Sequence, residues 1–277
     1  MSSISKDDVL SLREKTGAGL IDCKRALVES NGDIEEAVSI LRKKGVASAA
    51  KKAGRDAGEG IVAQYIADDF SKGILVEVNC ETDFVAKNDD FVSFATSVAQ
   101  QLLDNPDADL EEQRVEQVAK IGENIRISRS SILAPNSTGL VESYVHTGGK
   151  VAVLLSLGTS SADVVGSDAV KSLAKDLCMH IAATSPVCVS RDDVPADLVA
   201  KEKEIALAQA EGKPPQAIDK IVQGKLDKYF SNSCFLEQPF VKDPDHTITE
   251  LLAASSKEVG SELSVEKFVR FQVGEEA

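Results

Sequence analysis

Positions 74–80 have one aliphatic face and one mixed face, which predicts a β-strand with one buried face. Every second residue from Ile74 to Val78 is aliphatic and falls on the same side of such a strand. The strand is followed by Thr82-Asp83-Phe84-Val85, where the chain must turn before a helix that begins near Phe91. A phenylalanine in this turn either folds back into the core, as most do, or stands out to contact a partner. The pattern alone leaves both alternatives open.

A similar pattern returns later in the chain at an offset of 79 residues. Gly60 to Ile66 matches Gly139 to Val145, and each of these segments is followed by a second aliphatic run. The next helices share one apolar spacing, formed by Phe91, Phe94, Ala95, Val98 and Leu102 in the first and by Val170, Leu173, Ala174, Leu177 and Ile181 in the second. Each copy is therefore predicted to be a β-hairpin with an amphipathic helix over one sheet face, and the fold class is α+β.

The first 45 residues predict three short helices separated by glycine-containing turns. Ser5 is a candidate N-cap of the first helix, and Asp8 is placed as its reciprocal acceptor. A module of this size has little core. Leu20 and Ile21 therefore either close the bundle or remain exposed for a partner.

The chain is predicted to contain a linker and a helical insertion. Residues 46–59 are rich in Ala, Lys and Gly, which indicates a helical tail that ends in a flexible linker. The insertion spans 187–230 and is broken at Gly212–Pro215; its first arm contains Leu198, Val199, Ile205 and Leu207, and its second contains Ile218, Ile221, Val222, Leu226 and Tyr229. Such an antiparallel hairpin packs on its own domain or on a second copy of the chain. The predicted domains are 1–55, 56–138 and 139–277, the last of them interrupted by the hairpin.

Composition narrows the class of protein. The chain has 277 residues, of which 43% are hydrophobic and 27% charged, as expected for a globular protein with a substantial core. Its net charge of −14 disfavours direct binding to nucleic acid, because a phosphate backbone is repelled. No apolar run is long enough for a membrane span, and the N-terminus lacks the apolar run of a signal peptide, so a cytoplasmic location without membrane attachment is expected.

Candidate catalytic residues are few. The five cysteines are scattered and never form a CxxC pair, so they are expected to be reduced and mostly buried, with no zinc site. His180 falls within a helical pattern and is expected to be structural. Lys120 to Asn124 has one glycine where a phosphate-binding loop needs several. The sequence therefore predicts a binding protein without a metal or cofactor, although an enzyme that uses Cys80 as nucleophile remains an alternative.

Several segments together resemble the elongation factor Ts family. They are Thr16–Leu27, Ala49–Gly54, Val78–Lys87, Lys120–Ile125, Ser143–His146 and Glu237–Val241, and they cover nearly the whole chain in order. The resemblance implies an N-terminal module like a ubiquitin-associated (UBA) domain, a two-part core and a coiled-coil hairpin. It also implies the function of a nucleotide exchange factor for the GTPase elongation factor Tu. Known members often continue into a further C-terminal helix that contacts the GTPase, and the resemblance here ends before such a helix.

The resemblance also implies roles for individual residues. Thr82, Asp83, Phe84 and Val85 match the segment that disturbs the partner's magnesium site, with Phe84 as the inserted ring and Asp83 beside it. His146 matches a second intruding position, and Arg13, Leu20 and Ile21 match the surface that docks on the GTPase. An adaptor that binds a partner without affecting nucleotide release is the competing hypothesis.

Overall fold

The structure is a computed structural model that describes residues 4–275. Residues 1–3 of the first predicted domain and residues 276–277 of the last lie outside the described part. Helix accounts for 52% and strand for 22% of the structure, a mixture consistent with the predicted α+β class. The helices are α1 (Lys6–Thr16), α2 (Leu20–Glu29), α3 (Ile34–Lys52), α4 (Asp83–Ala86), α5 (Asp89–Asp104), α6 (Glu111–Ile121), α7 (Asp168–Thr184), α8 (Ala196–Gln209), α9 (Pro215–Ser233) and α10 (Ile248–Val259). The strands are β1 (Glu59–Ile66), β2 (Gly73–Cys80), β3 (Arg126–Leu133), β4 (Gly139–Val145), β5 (Val151–Thr159), β6 (Pro239–Phe240), β7 (Asp243–Thr247) and β8 (Leu263–Gln272).

Helices α1 to α3 pack around a small apolar cluster that includes Leu12 and Leu27. The predicted capping box is present, since Asp8 N–H donates to Ser5 Oγ at 3.0 Å and Ser5 N–H donates to Asp8 Oδ2 at 3.1 Å. The helical tail expected after residue 45 belongs to α3, which continues to Lys52 and packs along α6. Gly45 lies at that contact, where an added Cβ would be 3.4 Å from the Ala119 side chain.

Two antiparallel three-stranded sheets form the centre of the molecule. Their strand orders are β1-β2-β3 and β4-β5-β8. Helix α5 covers the outer face of the first sheet, and α7 covers the outer face of the second. The inner faces pack on each other through Val62, Leu75, Leu133, Val141, Ala152, Leu154 and Phe271. The layers therefore run helix, sheet, sheet, helix.

This packing of sheet on sheet corrects one prediction. Strand β2 is buried along both faces, whereas its alternation predicted one buried face. Its polar residue Glu77 is buried by this packing, and its charge is paired, since Arg129 Nε donates to Glu77 Oε2 at 2.7 Å. The amide Nδ2 of Asn79 also donates to Glu77 Oε1, at 3.0 Å. Buried polar groups with such partners are compatible with a sheet interior.

Helices α8 and α9 run antiparallel and pack against each other. Ala206 and Ala210 face the contact and are buried, together with Leu226 of α9. Of the apolar residues expected on the first arm, Leu198 and Val199 pack on this cluster, whereas Ile205 and Leu207 remain 42% and 44% exposed. The first arm therefore presents aliphatic side chains to solvent.

Helix α10 was not predicted from the sequence. Its start has a clear local signal, because Thr247 and Glu250 form a capping box. Ile248 and Leu252 pack into the cluster beneath α7.

Across residues 4–275, none of the helices combines the length and apolarity that a membrane crossing requires.

Candidate functional site

The segment that follows β2, where the sequence predicted a turn, forms a single helical turn, α4. Thr82 caps this turn, since its Oγ1 accepts from Val85 N–H at 3.3 Å. Val85 and Ala86 pack on the α5 side of the first sheet. Phe84 points the other way and is 82% exposed. The core-packing alternative for Phe84 is therefore wrong, and the ring is free to contact a partner.

The start of this turn is held by Glu123. Its Oε2 accepts from the backbone N–H groups of Glu81 and Thr82, both at 3.0 Å. Its Oε1 accepts from Thr82 Oγ1 at 2.7 Å. Glu123 follows Gly122, which ends α6 at a φ of +90°, a conformation that favours glycine. Sequence reasoning missed this residue, because nothing local to Lys120–Asn124 indicates which distant donors its carboxylate meets.

Asp83 is held in its charged form at the first position of α4. Lys87 Nζ donates to Asp83 Oδ2 at 2.7 Å, and this bond is the main cause that lowers the pKa of Asp83. The charge of Lys150 lowers it further. The ammonium of Lys150 also donates to Glu59 Oε2 at 2.6 Å, which raises the pKa of Lys150. Phe84 is therefore preceded by a carboxylate that stays ionised at neutral pH.

His146 lies in the turn between β4 and β5 and is exposed. Its Nδ1 is 3.0 Å from the Tyr144 hydroxyl oxygen. The turn is attached to the first sheet, because Val62 N–H donates to Gly149 O at 2.7 Å. Lys150 of this turn donates to Glu59, and Glu59 pairs with Cys80 at the end of β2, so the turn that contains His146 lies at the same end of the first sheet as Thr82–Val85.

The third group of predicted site residues lies where α1 ends and α2 begins. Leu20 and Ile21 form the first turn of α2 and are 44% and 68% exposed, and Arg13 in the last turn of α1 is also exposed. The bundle is closed by other residues, so the alternative that Leu20 and Ile21 close it is wrong. Among residues 4–275, no hydrogen bond or ion pair connects these three side chains to the Thr82–Val85 turn.

The nucleophile alternative for Cys80 does not agree with its surroundings. Cys80 is fully buried, and its Sγ donates to Thr82 O at 3.2 Å. Burial, with the nearby charge of Glu123 as the second cause, raises the pKa of Cys80 to about 12. A reactive cysteine needs an accessible thiolate, so Cys80 is unsuited to nucleophilic attack.

The other candidate groups are structural. All five cysteines are free and buried, as predicted. His180 is fully buried, with Nε2 at 2.9 Å from Gln238 Oε1 and Nδ1 accepting from Val241 N–H at 3.2 Å, which confirms its structural role. Burial is the main cause that lowers the pKa of His180.

Within the described residues, no group of three or more His, Cys, Asp and Glu side chains is placed to hold a metal ion.

Comparison with known proteins gives one consistent answer. The family model described as "Elongation factor TS" matches residues 81–275. A protein described as elongation factor Ts from Clostridium perfringens (strain SM101 / Type A) is 46% identical over 288 residues, which cover 98% of this chain and 93% of that protein. One from Nautilia profundicola is 46% identical over 291 residues, covering 99% and 94%. One from Clostridium botulinum (strain Loch Maree / Type A3) is 43% identical over 290 residues, covering 98% and 93%. This chain therefore belongs to the elongation factor Ts family.

Proposed function

We propose that this chain binds elongation factor Tu in its GDP form and promotes GDP release by inserting Asp83 and Phe84 at the magnesium and phosphate site. Family membership supports nucleotide exchange as the activity. The observation that supports this particular mechanism is the 82% exposure of Phe84 on a turn held in place by Glu123. An exposed aromatic ring on an ordered turn has much apolar surface to bury and little entropy to lose on binding.

The mechanism needs no covalent chemistry and no cofactor of this chain. If the chain binds the nucleotide-free GTPase more tightly than the GDP form, it weakens GDP binding by the same factor, because linkage is reciprocal. Displacing Mg²⁺ leaves the phosphate charge of GDP uncompensated, which favours its release. The factor stays bound to the empty GTPase until GTP binds and displaces it.

We call the Thr82–Val85 turn the wedge, and the roles of its four residues follow from the geometry of α4. Phe84 supplies the apolar ring, and Asp83 supplies a negative charge beside it. Thr82 caps the turn, while Val85 anchors it to the core. These four residues together displace the magnesium ion of the partner.

Docking involves a larger surface around two other parts of the chain. Arg13, Leu20 and Ile21 offer a cation and two exposed aliphatic side chains at the α1–α2 junction. His146 contacts the partner near the wedge, because its turn lies at the same end of the molecule as Asp83. Since the docking residues and the wedge are separate, binding and exchange should be separable by mutation.

The organisation that we propose has a UBA-like module at 1–55 and core units at 56–138 and 139–277. The helical insertion at 187–230 divides the second unit. A cytoplasmic location suits a factor of translation. With a net charge of −14, the factor would reach elongation factor Tu without binding nucleic acid itself or attaching to a membrane.

A homodimer through the helical hairpin is a further part of the proposal. Ile205 and Leu207 are exposed on α8, and aliphatic side chains on a projecting hairpin are suited to an isologous contact. Sedimentation of the protein and of Ile205→Asp tests it. A concentration-dependent dimer that is lost in the variant supports the contact, and a monomer at all concentrations refutes it.

The exchange mechanism is tested by the release rate of fluorescent GDP from elongation factor Tu, with catalytic amounts of this protein at low and high Mg²⁺. Acceleration that requires Phe84 supports the proposal. Stable binding to elongation factor Tu without acceleration would leave the adaptor hypothesis.

A further inference from the structure

The turn Gly122–Asn124 contacts both the wedge and the end of the N-terminal helices. Glu123 accepts three hydrogen bonds from Glu81 and Thr82. Next to it, Asn124 Nδ2 donates to Arg55 O at 2.9 Å. In the sequence, this segment is an unsuitable phosphate-binding loop and part of the family resemblance, and neither observation gives Glu123 a role in exchange.

The hydrogen bonds between this turn and the wedge are reciprocal. While Glu123 accepts from the backbone of Glu81, the side chain of Glu81 accepts from Asn124 N–H at 2.6 Å. Bonds in which the acceptor is an ionised carboxylate are stronger than neutral ones. In the described part of the chain, Glu123 accepts from the backbone N–H groups of both Glu81 and Thr82. The backbone that leads into α4 is therefore held mainly by one side chain.

Glu123 is presented from a fixed position, because α6 is packed on two sides. Helix α6 lies along α3, where Arg42 Nη1 is 3.2 Å from Glu112 Oε1. Lys120 Nζ is 2.9 Å from Asp90 Oδ2 at the start of α5. A group on a rigid element can hold a loop in one geometry, whereas a group on a mobile loop cannot.

We infer that Glu123 is a positioning residue for nucleotide exchange, which holds the Thr82–Val85 turn so that Phe84 enters the partner as a rigid wedge. The inference rests on the proposed function. Thr82 Oγ1 donates to Glu123 and accepts from Val85 N–H. The cap of α4 and the hydrogen bonds to Glu123 therefore form one continuous network. Without the carboxylate, three donors lose their acceptor, and α4 is then attached by the packing of Val85 and Ala86 and by the hydrogen bond from Cys80 Sγ to Thr82 O.

The first test uses Glu123→Ala with two companions. The maximal rate of GDP release at saturating factor should fall by roughly tenfold to a hundredfold in Glu123→Ala, since small misplacements of a positioned group cost that much. The concentration for half-maximal release should change less than about threefold, because the docking residues are untouched. Glu123→Gln retains one acceptor oxygen and should be intermediate. Glu116→Ala removes a carboxylate from the exposed side of α6 and should match the wild type.

The second test measures the wedge without any partner. The chain contains no tryptophan, so Phe84→Trp introduces a single indole at the wedge. Its time-resolved fluorescence anisotropy should decay mainly with tumbling of the whole protein. Adding Glu123→Ala should introduce a fast local decay, while far-UV circular dichroism and the thermal midpoint show that the variant is folded.

The two measurements together decide the inference. Slow exchange together with a mobile indole supports it. An indole that stays immobile in Glu123→Ala overturns it, and so does a mobile indole with wild-type exchange. If the wild-type protein itself fails to accelerate GDP release, the proposed function fails and the inference fails with it. The anisotropy still shows in that case whether Glu123 holds the turn.

Discussion

Replacing Phe84 by alanine should abolish most exchange activity while leaving the fold intact. A phenylalanine side chain can bury about 200 Å². With 82% of the residue exposed, about 160 Å² is available to a partner and only about 40 Å² contributes to the fold. At about 25 cal/mol per Å², these areas correspond to upper limits of about 4 kcal/mol for insertion and about 1 kcal/mol for stability. The exchange rate can thus fall by up to about a thousandfold.

The assay is the release of fluorescent GDP from elongation factor Tu, measured across factor concentrations for wild type, Phe84→Ala and Val187→Ala. The last variant removes an exposed aliphatic side chain to which no contact is assigned, and it should exchange like the wild type. Thermal unfolding of Phe84→Ala should lie within about 4 °C of the wild type, given its small effect on stability. A variant that unfolds far below this limit would show that the ring supports the core, and undiminished exchange would refute the wedge.

Three further predictions concern other parts of the molecule. Cys80, with a pKa of about 12 and no exposure, should resist iodoacetamide at pH 8 in the native protein and react after denaturation; rapid native labelling would contradict its burial. Ile21→Ala should weaken binding to elongation factor Tu without lowering the thermal midpoint, whereas the buried neighbour Leu12→Ala should destabilise the protein by about 2–5 kcal/mol. The hydrogen bond to Asp243 raises the pKa of His246, so the folded state favours its protonated form. The resulting contribution to the stability of the folded state is complete at pH values below the ordinary pKa of histidine, near 6.5, and is lost as the pH rises through the raised pKa of His246. An NMR titration should show the raised pKa return toward the ordinary value in Asp243→Asn.

Local features of the chain were determined by the sequence itself. The capping box of Ser5 and Asp8 and the α2 start after the glycine turn follow from neighbouring residues. The apolar spacing of α5 and α7 also predicted which residues of these helices are buried, because a period of 3.6 places them on one face. The missed capping box of Thr247 belongs to the same class of readable signals.

Contacts between distant segments were decided only by the tertiary structure. Strand β2 is buried on both faces because a second sheet covers the side that its polar residues occupy, and alternation along one strand cannot reveal that partner. Phe84 is exposed because Val85 and Ala86 take the inner side of α4. Glu123 meets donors about 40 positions earlier in the chain, so its role depends on how α6 packs against α3 and α5. Neighbouring residues in the sequence indicate caps and hydrophobic faces, but the packing of the whole chain determines which distant residues they contact.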